Sequence, residues 1–159
     1  YNDVQTIVIA GPGFYKSDFL KFLEDKHKDL AKKSILEDTG SGGRPGIKEV
    51  LRKGTLEKLA TENRIAFEIS AVNDILEEIA KTSELVVYGK KDVKNAINLG
   101  AIQKLLVLDT IVRSEDLEDS MDMVENMSGE VLVISSEHEG GKQLAALGGL
   151  AATLRYPIN

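Results

Sequence analysis

The apolar positions change their period along the chain. Val4, Ile7, Val8, Ile9 and Ala10 make a short, nearly continuous apolar run, the pattern of a buried strand over residues 5–10. It stops at Gly11-Pro12-Gly13, which breaks regular structure. Ser17 or Asp18 can cap the next helix. Phe19, Leu20, Phe22, Leu23, Leu30 and Ala31 give that helix one apolar side as far as residue 33. A short strand is expected over residues 34–36, a glycine-rich loop over residues 40–46, a short helix over residues 47–53 and a stop at Gly54. From residue 56 to 81, Ile65, Ile69, Val72, Ile75, Leu76 and Ile79 recur every three or four positions, which predicts one or two helices. Short strands then follow at residues 85–88, 104–108, 131–134 and 151–155. Between them fall helices at 91–99 and 115–127 and a helical turn or two at 141–147. Such alternation predicts α/β layers around a mostly parallel sheet. The chain divides into two small α/β units. Residues 1–63 read as an incomplete domain, and residues 64–159 as a complete layered α/β domain. A core strand so close to residue 1 leads us to expect a preceding segment in the parent protein. No internal repeat or low-complexity tract stands out.

Composition narrows this picture. Hydrophobic residues make up 42% of the 159 positions, enough for a core, while aromatics are 5% and Trp is absent, so the core is expected to be aliphatic. There is no Cys, which removes disulfides and thiol catalysis and suits a reducing, cytoplasmic setting. No apolar run reaches the length of a membrane span, and no signal-peptide pattern opens the chain. The net charge of −6 and pI near 5.0 are not those of a dedicated nucleic-acid binder. Contact with RNA would need a local patch. Arg44, Lys48, Arg52 and Lys53, with Lys58 nearby, supply one beside the glycine-rich loop, against Glu49 and Glu57. The same pattern also fits a solvated helix face, and both readings stand. The acidic run Glu115, Asp116, Glu118, Asp119, Asp122 and Glu125 reads as the outer face of a helix.

Candidate chemistry is sparse. Gly11-Pro12-Gly13 lies between a strand and a helix, as a dinucleotide loop would, but position 16 is Lys where that fingerprint has its third glycine. The loop at residues 40–46 is followed by Ile47-Lys48 and lacks the Gly-Lys-Ser/Thr of a P-loop. Neither reads as a nucleotide site. His27 falls on a charged helix face. His138, between Glu137 and Glu139, falls after a strand end, where α/β folds place functional groups. One His and its two neighbours fall short of a metal ligand set, so no metal site is read and His138 is taken as a loop or partner-contact residue. Ser135 and Ser136 beside it lack a nucleophile elbow. No catalytic set is read. Phe14 follows a tight turn and has two readings, an anchor projecting towards a partner or a hydrophobic staple on its own helix.

Four segments in order carry a resemblance. Residues 7–16 (IVIAGPGFYK) and 40–51 (GSGGRPGIKEVL) look like the central domain of the pelota family of ribosome-rescue factors. Tyr88-Gly89, Val93, Ala96, Gly100-Ala101 and residues 105–109 (LLVLD) are similar to the C-terminal domain that pelota shares with class-1 release factors. Residues 136–141 (SEHEGG) and 148–157 (GGLAATLRYP) look like pelota's ending. Pro12-Gly13-Phe14 favours pelota over a release factor. So does the short span from Leu108 to Val131, which leaves no room for the release factors' small insertion, and the compact architecture suggests the archaeal form. The resemblance implies a factor with an N-terminal RNA-binding domain, a central domain and a C-terminal domain. Such a factor enters the vacant decoding site of a stalled ribosome with an elongation-factor-like GTPase. It then works with an ABC-type recycling ATPase to split the subunits, in no-go and non-stop mRNA surveillance. By the same resemblance Pro12, Gly13 and Phe14 are expected to contact the GTPase, and His138, Gly141, Lys142 and Gln143 to form a partner surface. Lys142-Gln143 stands where the family commonly has acidic residues. The family has been credited with a metal-dependent endoribonuclease activity, disputed and placed in its N-terminal domain. No cofactor is expected for this chain, a divalent metal belonging to that activity alone. A cytoplasmic monomer is expected.

Overall fold

The computed structural model describes residues 4–114 and 117–158. The first two positions of the expected helix over residues 115–127 lie outside them, with Glu115 and Asp116 of the acidic run. The chain forms two compact units, residues 1–61 and 62–159.

In the first unit β1 (Ile7–Gly11) leads through α1 (Tyr15–Lys26) and α2 (Lys28–Lys32) to β2 (Ser34–Asp38), and α3 (Gly43–Arg52) follows. β1 and β2 pair in parallel, from Ile7 opposite Ser34 to Gly11 opposite Asp38. The single helix expected as far as residue 33 is two. His27, at φ −142° and ψ 60°, leaves the helical region, and its carbonyl starts α2 by accepting from the amides of Leu30 and Ala31. The apolar side of α1 is also divided. Leu23 is buried, whereas Phe19 and Phe22 stack on each other in solvent. α3 begins at Gly43 rather than residue 47. Pro45 sits in its first turn, where a missing amide hydrogen has no helical partner to lose.

α4 (Thr55–Ala80) is one continuous helix, and its residues from Glu62 onwards belong to the second unit. That unit continues with β3 (Val86–Tyr88), α5 (Lys90–Asn98), β4 (Ile102–Leu108), α6 (Asp109–Ser114), α7 (Glu118–Asn126), β5 (Glu130–Ile134), α8 (Glu139–Ala146) and β6 (Leu150–Leu154). The strand order is β3-β6-β4-β5. The expected mostly parallel sheet is here a mixed one. β4 and β5 are parallel, but β6 runs antiparallel to both β3 and β4. The reversal is made after α8 by Gly148 and Gly149, at φ +95° and +79°, backbone that glycine adopts readily. A Cβ on Gly149 would lie 2.0 Å from Ile111 Cδ1, so a larger residue would force the Ile111 side chain to shift.

Alternation along the central strands divides the second unit's core in two. Leu105, Val107, Leu150, Ala152 and Leu154 face one side of the sheet with Val93, Ile97 and Val124 of α5 and α7. Leu106, Leu108 and Ala151 face the other with Val72, Ile75 and Leu144 of α4 and α8. Helices thus cover both sides, and the core is aliphatic as composition predicts.

Candidate functional site

In a parallel pair both strands end at the same edge, and here that edge carries the first unit's two glycine-containing loops. Gly11 and Asp38 are partners at the end of the ladder, and the amide of Thr39 reaches the carbonyl of Gly11 at 3.5 Å. The turn at Pro12-Gly13-Phe14 leaves β1 at this edge, with Gly13 at φ +65°. Phe14 becomes the N-cap residue of α1, its carbonyl accepting from the amides of Ser17 and Asp18. Its ring packs under nothing: Phe14 and Tyr15 are each 85% exposed. The staple reading is therefore not realised, and two adjacent aromatic rings stand in water on a fixed turn.

Lys16 fixes that turn. Its ammonium donates to the carbonyl of Gly13 at 2.5 Å and pairs with Asp38 Oδ1 at 2.5 Å. The hydrogen bond from Lys16, together with its charge, holds the Asp38 carboxyl below the usual aspartate range. The residue replacing the third glycine of a dinucleotide fingerprint thus cross-links the two strand ends. The second loop is answered from within as well. Glu49 Oε2 on α3 accepts the amide of Gly40 at 2.7 Å, a protein carboxylate meeting an amide of the kind a P-loop turns to phosphate.

The basic residues beside this loop separate. Lys53 is held by Glu37 Oε1 at 3.1 Å and by the carbonyl of Asp38. Arg44, Lys48 and Arg52 are exposed on α3, one turn apart, with no ion pair among the described residues. Ile47 and Leu51, 60% and 49% exposed, border them on the same helix.

The second candidate group is dispersed by its own geometry. His138 is the N-cap residue of α8, and its Nδ1 accepts from the amide of Gly141 at 3.4 Å. With Nδ1 an acceptor, the ring hydrogen lies on Nε2, which is 2.7 Å from Glu68 Oε2. The side chains of His138 and Glu68 are only 10% and 5% exposed. The same carboxylate oxygen accepts the amide of Ser135 at 2.8 Å, and Arg64 approaches Oε1 at 3.5 Å. His138, expected as a contact residue in a polar loop, is thus a clasp between α4 and α8. Gly141 is likewise internal, since a Cβ there would lie 2.0 Å from the carbonyl oxygen of Ser135. Lys142 is exposed and Gln143 partly so, and these two carry the outward chemistry of the group.

Sequence reasoning missed Glu68, although it stands among Ile65, Ile69 and Val72 in the apolar stripe of α4, where a carboxylate needs partners. It also missed Asp109, which opens α6 and accepts the amide of Ser136 at 3.1 Å. Among the described residues no cluster of three or more His, Cys, Asp or Glu is placed to hold a metal ion. Among the described residues no helix is long and apolar enough to cross a membrane.

Residues 65–158 match the family described as eRF1 domain 3, and residues 1–61 match eRF1 domain 2. The pelota homologue of Methanobrevibacter smithii is 61% identical over 158 residues, covering 99% of this chain and 45% of that protein. The chain thus spans somewhat less than half the length of that curated relative. Pelota in a model of the ribosome-bound archaeal factor with ABCE1 is 49% identical with a TM-score of 0.79, over 99% of this chain and 45% of that one. Dom34 of S. cerevisiae, described as a termination-like factor interacting with Hbs1, is 29% identical with a TM-score of 0.61, over 97% of this chain and 48% of that one. With residues 65–158 matched and an eRF1 domain 2 segment before them, the chain belongs to the eRF1 domain 3 family and is similar along nearly its whole length to archaeal pelota homologues.

Proposed function

We propose that this chain is the docking part of a ribosome-rescue factor, one that recognises stalled ribosomes and promotes their dissociation in mRNA surveillance. The observation that carries this reading is the Pro12–Phe14 turn, whose Phe14 and Tyr15 are each 85% exposed while Lys16 holds the backbone beneath them. Large aromatic side chains on a rigid support suit an interface anchor, because little conformational freedom is lost on docking. The partner we assign to this turn is an elongation-factor-like GTPase. Lys142 and Gln143, set by the His138–Glu68 clasp, form a second contact, which we assign to the recycling ATPase. Arg44, Lys48 and Arg52 are suited to ribosomal RNA phosphates. The described termination-like relative that interacts with Hbs1, and the archaeal one placed with ABCE1 on the ribosome, support these assignments. We draw the division between the two working units at residues 63 and 64, within α4, and set the work in the cytoplasm. Nucleotide hydrolysis belongs to the partners in this reading, so it requires no catalytic group here.

The test is capture of the GTPase of the same organism by this chain and by Phe14→Ala. Binding by the parent, reduced at least tenfold in the variant, is expected. Equal binding would remove Phe14 from the interface, and failure of both would remove GTPase docking from this chain.

A further inference from the structure

The second unit has a cavity on the side of its sheet opposite α8. It lies between α5 and α7 and measures about 330 Å³. Its floor is Leu105, Val107 and Leu150 of the central strands, each 6% exposed or less. Val93 and Ile97 form the α5 wall, and Ser120 and Met121 the α7 wall. Among the described residues, the charged side chains lining it are Lys90 and Lys94, one helical turn apart on α5. Lys94 is exposed and makes no ion pair among the described residues. The acidic residues Glu118, Asp119 and Asp122 of α7 are outside the lining. An apolar depression with charge of one sign at its mouth selects a ligand that is apolar at the centre and anionic at the edge. The size admits one large side chain and part of a neighbour. A carboxylate carried on a peptide can meet Lys94 while a neighbouring side chain of the same segment fills the depression.

We propose that this cavity receives an acidic peptide segment of a partner protein, which inserts one leucine or aromatic side chain over Leu105 and Val107 and sets a carboxylate against Lys94. This surface is independent of the Phe14 turn and of α8, so it stands or falls apart from the docking reading above. Unlike a surface contact between charges alone, it couples charge to burial. The charge steers the segment and the floor holds it.

The test uses the whole chain, isotope-labelled for amide NMR, with two probes: acetyl-Glu-Leu-Phe-Glu-amide and acetyl-Lys-Leu-Phe-Lys-amide. The acidic peptide is expected to shift the amides of Val93, Lys94, Ile97 and Met121 saturably, and the lysine peptide to bind at least about fivefold more weakly. Lys94→Glu should reverse that preference. Ser120→Phe, which fills the cavity from the α7 wall, should abolish binding of both peptides, and Phe14→Ala should change nothing. Unaltered amide shifts on β4 and β6 in each variant identify a fold left intact. Should Ser120→Phe disturb that fold, the charge reversal at the exposed Lys94 decides the matter alone. Absence of saturable shifts at these residues, equal affinity for the two peptides, or tighter binding of dodecanoate than of the acidic peptide would each overturn the proposal.

Discussion

Glu68 shows how much one side chain can organise. Its buried carboxylate meets the amide of Ser135 and Nε2 of His138, so it joins α4 to the segment that opens α8. Removing it leaves two part-buried donors without partners. We expect Glu68→Ala to destabilise the second unit by about 2–4 kcal/mol, with urea denaturation as the measurement. His138→Asn should cost less, since asparagine is a good N-cap and can keep the bond to the Gly141 amide. A parental midpoint in Glu68→Ala would show that the clasp contributes nothing. Only part of this was legible in the sequence. His138 stood out as a histidine among carboxylates, but its partner is 70 positions away. Spacing rules reach along one helix or strand and do not connect α4 with α8. The readable signal was Glu68 itself, a charged residue inside an apolar stripe.

At the scale of elements, the strands and the long helix were legible because their apolar periods are unambiguous, and the differences lie where backbone conformation decides. α2 separates from α1 at His27, a position no hydrophobic pattern marks. α3 begins early because Pro45 tolerates a first turn. α6 was missed because six residues are too few to show a period. The direction of β6 follows from Gly148 and Gly149, and direction is invisible to a rule that counts alternating strands and helices. Gly149→Ala tests that reversal. Its Cβ would meet Ile111 Cδ1 at 2.0 Å in a conformation unfavourable to alanine. The expected loss is about 2–4 kcal/mol, read as a lowered thermal midpoint of the second unit. An unchanged midpoint would mean that α6 gives way without cost.

The whole molecule distributes its buried apolar side chains unevenly. Of its buried hydrophobic residues, Leu23 and Val50 lie in the first unit, while the second has two continuous clusters on either side of its sheet. Amides of β1 and β2 should exchange with solvent at least about a hundredfold faster than those of β4 and β6, because the opening free energy follows buried apolar contact. Equal protection would contradict this. The exposed aromatic turn has a consequence of another kind. Tyr15, Phe19 and Phe22 lie on one face of α1 beside Phe14, an apolar strip that could stick to its own copies. Charged residues interrupt it in sequence at Lys16, Asp18, Lys21 and Glu24, and the molecule's net charge of −6 makes like molecules repel. Colloidal repulsion and specific capture therefore coexist on one surface: a random encounter between copies meets charge first, while a partner shaped to the turn can reach the rings.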